Sequence, residues 1–277
     1  MSDPFKITGP TCISFSGGRT SAYMLWRVLQ AHNMSLPNDA VVCFANTGKE
    51  DEATLRFVQA CSERWGVHIT WLEYQQAEPG YKVVTFETAS RNGEPFEQLI
   101  HKKNYLPNPV TRFCTIEMKI RPMGKYLVDI GMADTKSEGE NMSMVGIRAD
   151  EPRRAAKIAD RGRIPLVTAG VTKDMVGQFW ASQPFDLELP NIGGVTYHGN
   201  CDLCFLKGAS QIMSLITERP ERAAWWARME STTLASKPLG ARFRSDRPSY
   251  AEMLKFSQEQ RDMFDAAEEG IACFCGD

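Results

Sequence analysis

The chain predicts an α/β protein organised on a parallel sheet, and three observations carry that expectation. Two apolar runs without polar alternation, residues 11–15 and 40–45, suit central strands covered on both faces, and each is followed by a segment of helical period. A small-residue turn, Ser16-Gly17-Gly18-Arg19-Thr20-Ser21, stands between the first run and its helix. With 277 residues, 43% hydrophobic and 24% charged, the chain is long enough to bury a large core.

The turn is the organising element. A buried strand, a turn and a helix in that order leave backbone N–H groups and the positive helix end open to an anion. Gly17 and Gly18 let the backbone approach a ligand, Ser16, Thr20 and Ser21 supply hydroxyls, and Arg19 supplies a permanent charge. No lysine follows the glycines at the spacing of the common nucleotide P-loop, so this is a phosphate cradle of another type.

Apolar residues recur on a helical period over residues 22–29, and Pro37-Asn38-Asp39 breaks the pattern. The second strand ends in Asn46-Thr47-Gly48, at the sheet edge where ligands of open α/β sheets collect. A helix over residues 51–65, with Leu55, Phe57, Val58 and Cys61 inward, and a strand over residues 67–74 complete a βαβαβ unit. Periodicity then fails from residue 75 to 109, which reads as a long excursion. A fourth strand is expected over residues 142–147, leading into Gly146-Ile147-Arg148-Ala149-Asp150-Glu151 and placing Arg148 at the ligand edge. A helix is expected over residues 172–180, with Thr172 or Lys173-Asp174 near its cap. The domain reading is a nucleotide-binding α/β domain over residues 1–200 and a helical region over 201–277.

The net charge of −2 gives no general attraction to nucleic acid, and no apolar run is long enough for a membrane span. The expectation is a cytoplasmic protein without a membrane partner, in which the eight cysteines are core residues or ligands rather than disulfides. Cys12, Cys43 and Cys61 fall inside regular elements and read as packing residues. Cys114 lies among Arg112, Lys119 and Arg121 at a helix entrance, Cys201 and Cys204 form a C-x-x-C, and the tail holds Cys273 and Cys275. A C-x-x-C serves a redox pair, half a zinc site or part of an iron–sulfur site, and three thiol clusters together point to a four-thiolate centre. Cys275, beside the flexible Gly276, is the expected fourth ligand, and zinc fits the same thiolates on chemistry alone.

In order along the chain, the Ser16 to Ser21 loop, Ala45-Asn46-Thr47-Gly48, the Cys114 to Lys119 stretch, the Gly146 to Glu151 stretch and Cys201-Asp202-Leu203-Cys204 resemble the phosphoadenosine phosphosulfate (PAPS) reductase family of the PP-loop ATP pyrophosphatase superfamily. The resemblance implies a five-stranded parallel sheet flanked by helices, with the adenine nucleotide at its carboxyl edge. By similarity, Ser16, Gly17, Gly18, Arg19, Thr20 and Ser21 hold the phosphates, Asn46, Thr47 and Gly48 lie beside the nucleotide, and Arg148 reaches its phosphate or sulfate. The chain departs from the assimilatory reductases in having Arg19-Thr20 where they carry Lys-Asp, a lone Cys114 where some carry a pair, and a Cys-Phe-Cys-Gly-Asp tail. It looks closer to cluster-bearing members that use ATP to activate an oxygen and install sulfur in tRNA or the DNA backbone.

The resemblance therefore implies ATP and Mg2+, with a 4Fe-4S cluster on Cys114, Cys201 and Cys204; it does not choose the fourth ligand, for which Cys275 is favoured on the tail's own sequence and an open fourth iron is the alternative. A nucleic-acid acceptor, a cysteine desulfurase as sulfur donor and a homodimer are the partners it suggests. Arg19 and Arg148 are the expected catalytic cations. Two other functions are open on the same residues: reduction of a sulfonucleotide with Cys273 or Cys275 as nucleophile, and nucleotide binding without turnover.

Overall fold

The structure, a computed structural model, describes residues 3–136, 139, 142–158, 160, 162–193, 195–234 and 242–265. The chain divides into two compact units, one of residues 1–103 and 112–202, the other of residues 104–111 and 203–277.

The first unit is built on strands β1 (Thr11–Phe15), β2 (Ala40–Asn46), β3 (Ile69–Tyr74), β4 (Tyr81–Val84) and β5 (Ser143–Val145), in spatial order β4-β3-β2-β1-β5. β1 pairs in parallel with β2 and β5, and β2 with β3, while β4 runs antiparallel to β3 at the edge. The expected all-parallel sheet is thus parallel in four strands. The antiparallel strand comes from the excursion after residue 74, where only Tyr81 and Val84 of four residues are buried, too short a pattern to register in the sequence.

The helices of this unit are α1 (Arg19–Ala31), α2 (Glu52–Trp65), α3 (Glu94–Lys103), α4 (Phe113–Thr115), α5 (Arg121–Asp129), α6 (Pro152–Ala155), α7 (Pro165–Thr168) and α8 (Lys173–Ala181). A π-helical turn, Ile116–Ile120, joins α4 to α5. A short hairpin of β6 (Asn191–Ile192) and β7 (Val195–Thr196) follows α8. The α2 start has a physical cause in Asp51, whose carboxylate accepts a hydrogen bond from Ala53 N at 2.9 Å, and its end in Gly66 at φ 61°. Thr172 precedes α8 in extended conformation but its hydroxyl makes no capping bond, so α8 starts without the cap expected of it.

Helices α1, α2 and α8 meet in an aromatic cluster of Trp26, Phe57, Trp65, Phe179, Trp180 and Phe185, with contacting ring centroids 5.0 to 6.2 Å apart. Such pairs add about 0.5–1.5 kcal/mol each beyond area burial. The Trp180 indole also donates to the Arg19 carbonyl at 2.9 Å and ties the start of α1 to this cluster. Cys12, Cys43 and Cys61 are fully buried, as packing residues should be. A hydrogen bond from Cys12, reinforced by burial, raises the Cys43 pKa, and burial alone raises that of Cys61.

From β1 the chain builds to one side through β2 and β3, then crosses to the other side with β5. The strand order therefore reverses at β1, and in open α/β sheets the ligand crevice lies at that reversal, beyond the carboxyl ends of the strands.

The second unit consists of α9 (Ala209–Glu218), α10 (Glu221–Leu234) and α11 (Tyr250–Asp265), around Phe205, Trp226, Phe243 and Tyr250. Buried Glu230 accepts the backbone N–H groups of Phe243 and Tyr250 at 3.2 and 2.8 Å, and burial pushes its carboxyl pKa up in spite of them. Among the described residues no helix is long and apolar enough to cross a membrane.

Candidate active site

The turn after β1 is held by its own hydroxyls. Ser21 Oγ donates to Gly18 O at 3.0 Å and accepts from Ser16 N at 3.1 Å, and the Ser16 and Ser21 hydroxyls lie 2.9 Å apart. Ser21 is buried, so it shapes the loop, whereas Ser16 is exposed at its mouth. The two glycines differ in the same way. Gly17 has φ +74°, and a Cβ there would fall 2.6 Å from Thr54 Cγ2. At Gly18 a Cβ would meet nothing nearer than Ser16 Oγ at 3.8 Å, so this position faces open space. Thr54 Oγ1, on the residue that abuts Gly17, is buried and makes no hydrogen bond among the described residues.

The loop after β5 closes on this turn. A Cβ on Gly146 would lie 2.9 Å from Ser21 Cα, so only glycine permits the approach. Two residues on, Arg148 Nη1 donates to Thr20 Oγ1 at 3.1 Å, with Nε on Asp150 at 2.9 Å and the Glu151 carboxylate 3.6 Å away. Burial pushes the Asp150 pKa up, but the Arg148 bond and charge, together with hydrogen bonds from backbone N–H groups, outweigh it and hold the carboxyl below its ordinary value. Arg148 and the cradle are therefore brought together at the strand reversal, as the sequence pattern proposed.

Arg19, read in the sequence as a permanent charge on the loop, has partners from the segment after α8. Its Nε reaches Asp186 Oδ1 at 2.7 Å, Nη2 reaches Asp186 Oδ2 at 2.7 Å and Leu189 O at 3.2 Å, and Nη1 reaches Thr196 Oγ1 at 3.3 Å. Nη2 also donates to Leu187 O. A planar guanidinium has five N–H donors in a fixed fork, and these partners engage four of them. Arg19 thus clamps the segment after α8 to the start of α1.

At the end of β2, Asn46 is fully buried and braces the turn: its Nδ2 donates to Glu73 Oε1 at 2.6 Å and Ser90 O at 2.9 Å, and its Oδ1 accepts from Gly48 N at 3.1 Å. Glu73, itself fully buried, also accepts from Ser90 N and Ser90 Oγ and pairs with Lys82 at 2.9 Å. Gly48 has φ +76° and packs against Gly93. Thr47 Oγ1 donates to Glu50 Oε2 at 2.8 Å and stands 3.4 Å from Cys201 Sγ.

Cys201 pairs with Glu50 in an antiparallel bridge, and the next residue, Asp202, forms an ion pair with Lys49 at 3.1 Å in which both side chains are 8% exposed. The other Glu50 oxygen, Oε1, is buried without a hydrogen bond among the described residues, and Lys119 Nζ pairs with it at 3.9 Å. Lys49, Glu50, Glu73 and Asp202 were missed in the sequence; the only available signal for three of them was adjacency to the Asn-Thr-Gly turn or the C-x-x-C.

Cys114, Cys201 and Cys204 are each half-buried, and no three His, Cys, Asp or Glu side chains among the described residues converge as a metal ligand set. Cys201 Sγ instead borders a threonine hydroxyl. Cys273 and Cys275 lie outside the described residues. The expected fourth ligand, Cys275, is one of these, and no step below runs through a cluster.

Comparison with known proteins adds the following. A model of the phosphoadenosine phosphosulfate reductase domain matches residues 10–160, a span that includes the cradle, the end of β2, Cys114 and Arg148 but stops short of Asp186 and Cys201. The chain is 33% identical over 208 residues to the uncharacterized nin region protein ORF290 of Escherichia phage lambda, covering 72% of this chain and 67% of that protein. It is 29% identical over 153 residues to an uncharacterized protein of Methanocaldococcus jannaschii, covering 55% of this chain and 26% of that one.

Proposed function

Because the chain belongs to the phosphoadenosine phosphosulfate reductase domain family, we propose that it is an enzyme of adenine-nucleotide chemistry that releases pyrophosphate from MgATP and adenylates an acceptor. The observation that carries this reading is the meeting of the two loops at the strand reversal, with Arg148 on Thr20 and open space above Gly18.

The chain's residues suggest how the reaction is supported. The acceptor oxygen attacks the α-phosphorus, and the bond to pyrophosphate breaks as that group departs. Backbone N–H groups at the start of α1 and the Arg148 guanidinium stabilise charge on the departing phosphates. Arg19 contributes indirectly, by fixing the first turn of that helix. Asp186 already neutralises Arg19, and Asp150 and Glu151 face Arg148, so a highly charged nucleotide is best accommodated with its Mg2+ as part of the substrate. This electrostatic balance favours MgATP over a metal-free sulfonucleotide carrying an additional phosphate.

The acceptor we assign is a nucleic acid, and the second half-reaction is displacement of AMP by a sulfur nucleophile, of the tRNA-thiolating or DNA-phosphorothioating kind, with a desulfurase as source. This half rests on the family likeness and the C-x-x-C alone. Pyrophosphate release from MgATP and sulfite release from PAPS, measured side by side, test the proposal. Pyrophosphate without sulfite is expected; sulfite without pyrophosphate would refute it in favour of a reductase, and neither product would leave a binding subunit. Iron and zinc analysis of anaerobically purified chain tests the thiol half separately, four irons per chain being the result that restores a cluster.

Arg148→Ala is expected to lower kcat about 100-fold with KM changed less than about threefold, as for loss of a contact made mainly in the transition state. A raised KM with kcat intact would reassign Arg148 to ground-state binding.

A further inference from the structure

Charge is segregated along the chain. Residues 98–128 hold six Lys and Arg but one acidic residue, Glu117, a local charge of +5 in a chain whose total is −2. Five of these cations lie on the elements that run from the end of α3 to the start of α5. Lys102 and Lys103 end α3, Arg112 stands at the entrance of α4, Lys119 is on the π-helical turn and Arg121 begins α5. Lys103 and Arg121 both reach the Glu117 carboxylate, at 2.7 Å each, which draws the end of α3, the turn and the start of α5 into one surface.

The cations of this surface stand outward and its carboxylates are recessed. Lys103, Lys119 and Arg121 are 33 to 55% exposed, whereas Glu50, Glu97 and Glu117, the acidic side chains beside them, are 2 to 27% exposed. Lys102 is exposed and meets the Tyr74 ring at 6.0 Å, and the exposed Arg112 side chain forms no ion pair or hydrogen bond among the described residues. Helix stability accounts for Lys102 and Lys103, which suit the negative end of α3. It does not account for Arg112, which sits at the positive end of the helical run that begins with α4. Between the cations the π-helical turn presents Ile116 and Ile120 to water, 48% and 60% exposed. π-Helical turns are rare and concentrate at functional sites. This one is also joined to the candidate active site, through Lys119 and Glu50 of the turn after β2.

We infer that this surface is where the acceptor lies: a single-stranded or looped nucleic acid whose phosphates rest on Lys102, Lys103, Arg112, Lys119 and Arg121, and whose unpaired bases meet Ile116 and Ile120. A strand of regularly spaced phosphates matches outward cations over recessed carboxylates, and unstacked bases match the apolar side chains among them. The inference rests on the adenylation reading above for why an acceptor comes to this edge of the sheet, and on the charge segregation for the surface itself.

Fluorescence anisotropy of the full chain with a fluorescein-labelled 20-nucleotide single strand, as RNA and as DNA, tests it. The variant is Lys102→Gln with Arg112→Gln, two exposed side chains without a carboxylate partner among the described residues. The control is Arg56→Gln with Lys255→Gln, which removes the same charge from α2 and α11. The first pair is expected to weaken binding of at least one strand about tenfold and to reduce the slope of log affinity against log salt by about 1.4, roughly 0.7 per lost phosphate contact. The control is expected to change affinity less than about twofold, and both variants to keep the wild-type melting temperature and MgATP affinity. The arm that binds more tightly names the sugar. No binding of either strand by the wild-type chain, equal losses in the two variants, tighter binding of the matching duplex, or a preference for phosphatidylserine vesicles would each overturn the inference. If the wild-type chain releases no pyrophosphate from MgATP, the adenylation reading fails on that result, while the anisotropy titrations still decide whether this surface holds a strand.

Discussion

Gly18→Val is expected to abolish MgATP binding in a calorimetric titration while moving the melting temperature by no more than about 2 °C. Gly18 has φ −107° and ψ 159°, an extended conformation that valine adopts readily, and its Cβ direction opens away from the core. The branched side chain therefore fills the space a phosphate needs and disturbs little else. The neighbouring Gly17→Val should behave in the opposite way and damage the fold first. A non-glycine residue at φ +74° costs about 1–2 kcal/mol, and contacts of 2.6 Å to Thr54 and 3.2 Å to Phe44 and Val58 add an overpacking penalty of about 1–3 kcal/mol. Unaltered MgATP affinity in a folded Gly18→Val variant would reduce the cradle to an ordinary turn.

Lys49→Ala should produce the largest loss of stability among single changes at the site, about 3–5 kcal/mol by denaturant unfolding, because it strands the Asp202 carboxylate in a buried position. Replacing both partners, Lys49→Met with Asp202→Leu, is expected to recover most of that loss, since an apolar pair carries no unpaired charge. A single variant within 1 kcal/mol of wild type, or a double variant no better than the single, would mean that this ion pair is not what holds the two segments together.

How far the sequence disclosed this arrangement depended on whether a residue's partner was near it in the chain. β1 and β2 were legible because burial on both faces leaves a run without polar alternation, β3 because it is rich in β-branched and aromatic residues, and α2 because its cap, inner face and terminal glycine follow one another. The turn after β1 and Arg148 could be singled out because the first directly follows a buried strand and the second lies three residues beyond β5. β4 was not, since only two of its side chains are buried. Arg19 shows the harder limit: its place in the loop suggested a ligand contact, but Asp186 lies 167 residues away and only folding reveals the pair. Lys49 and Glu50 look like an ordinary charged turn in the sequence; their burial depends on Cys201 and Asp202 arriving from the other side of the unit. Thiol spacing, in turn, located Cys114, Cys201 and Cys204 as chemically interesting without determining what they hold.

Cys12, Cys43 and Cys61 give the chain an internal clock for its own opening. They are wholly shielded, and the pKa values of Cys43 and Cys61 are raised, so a thiol reagent added to the native chain should react at the half-buried cysteines and leave these three untouched. Their reaction must wait until the sheet or α2 comes apart. The delay before they are labelled therefore measures the lifetime of the folded core in unmodified protein, site by site: Cys12 and Cys43 report on the two central strands, and Cys61 on the helix packed over them.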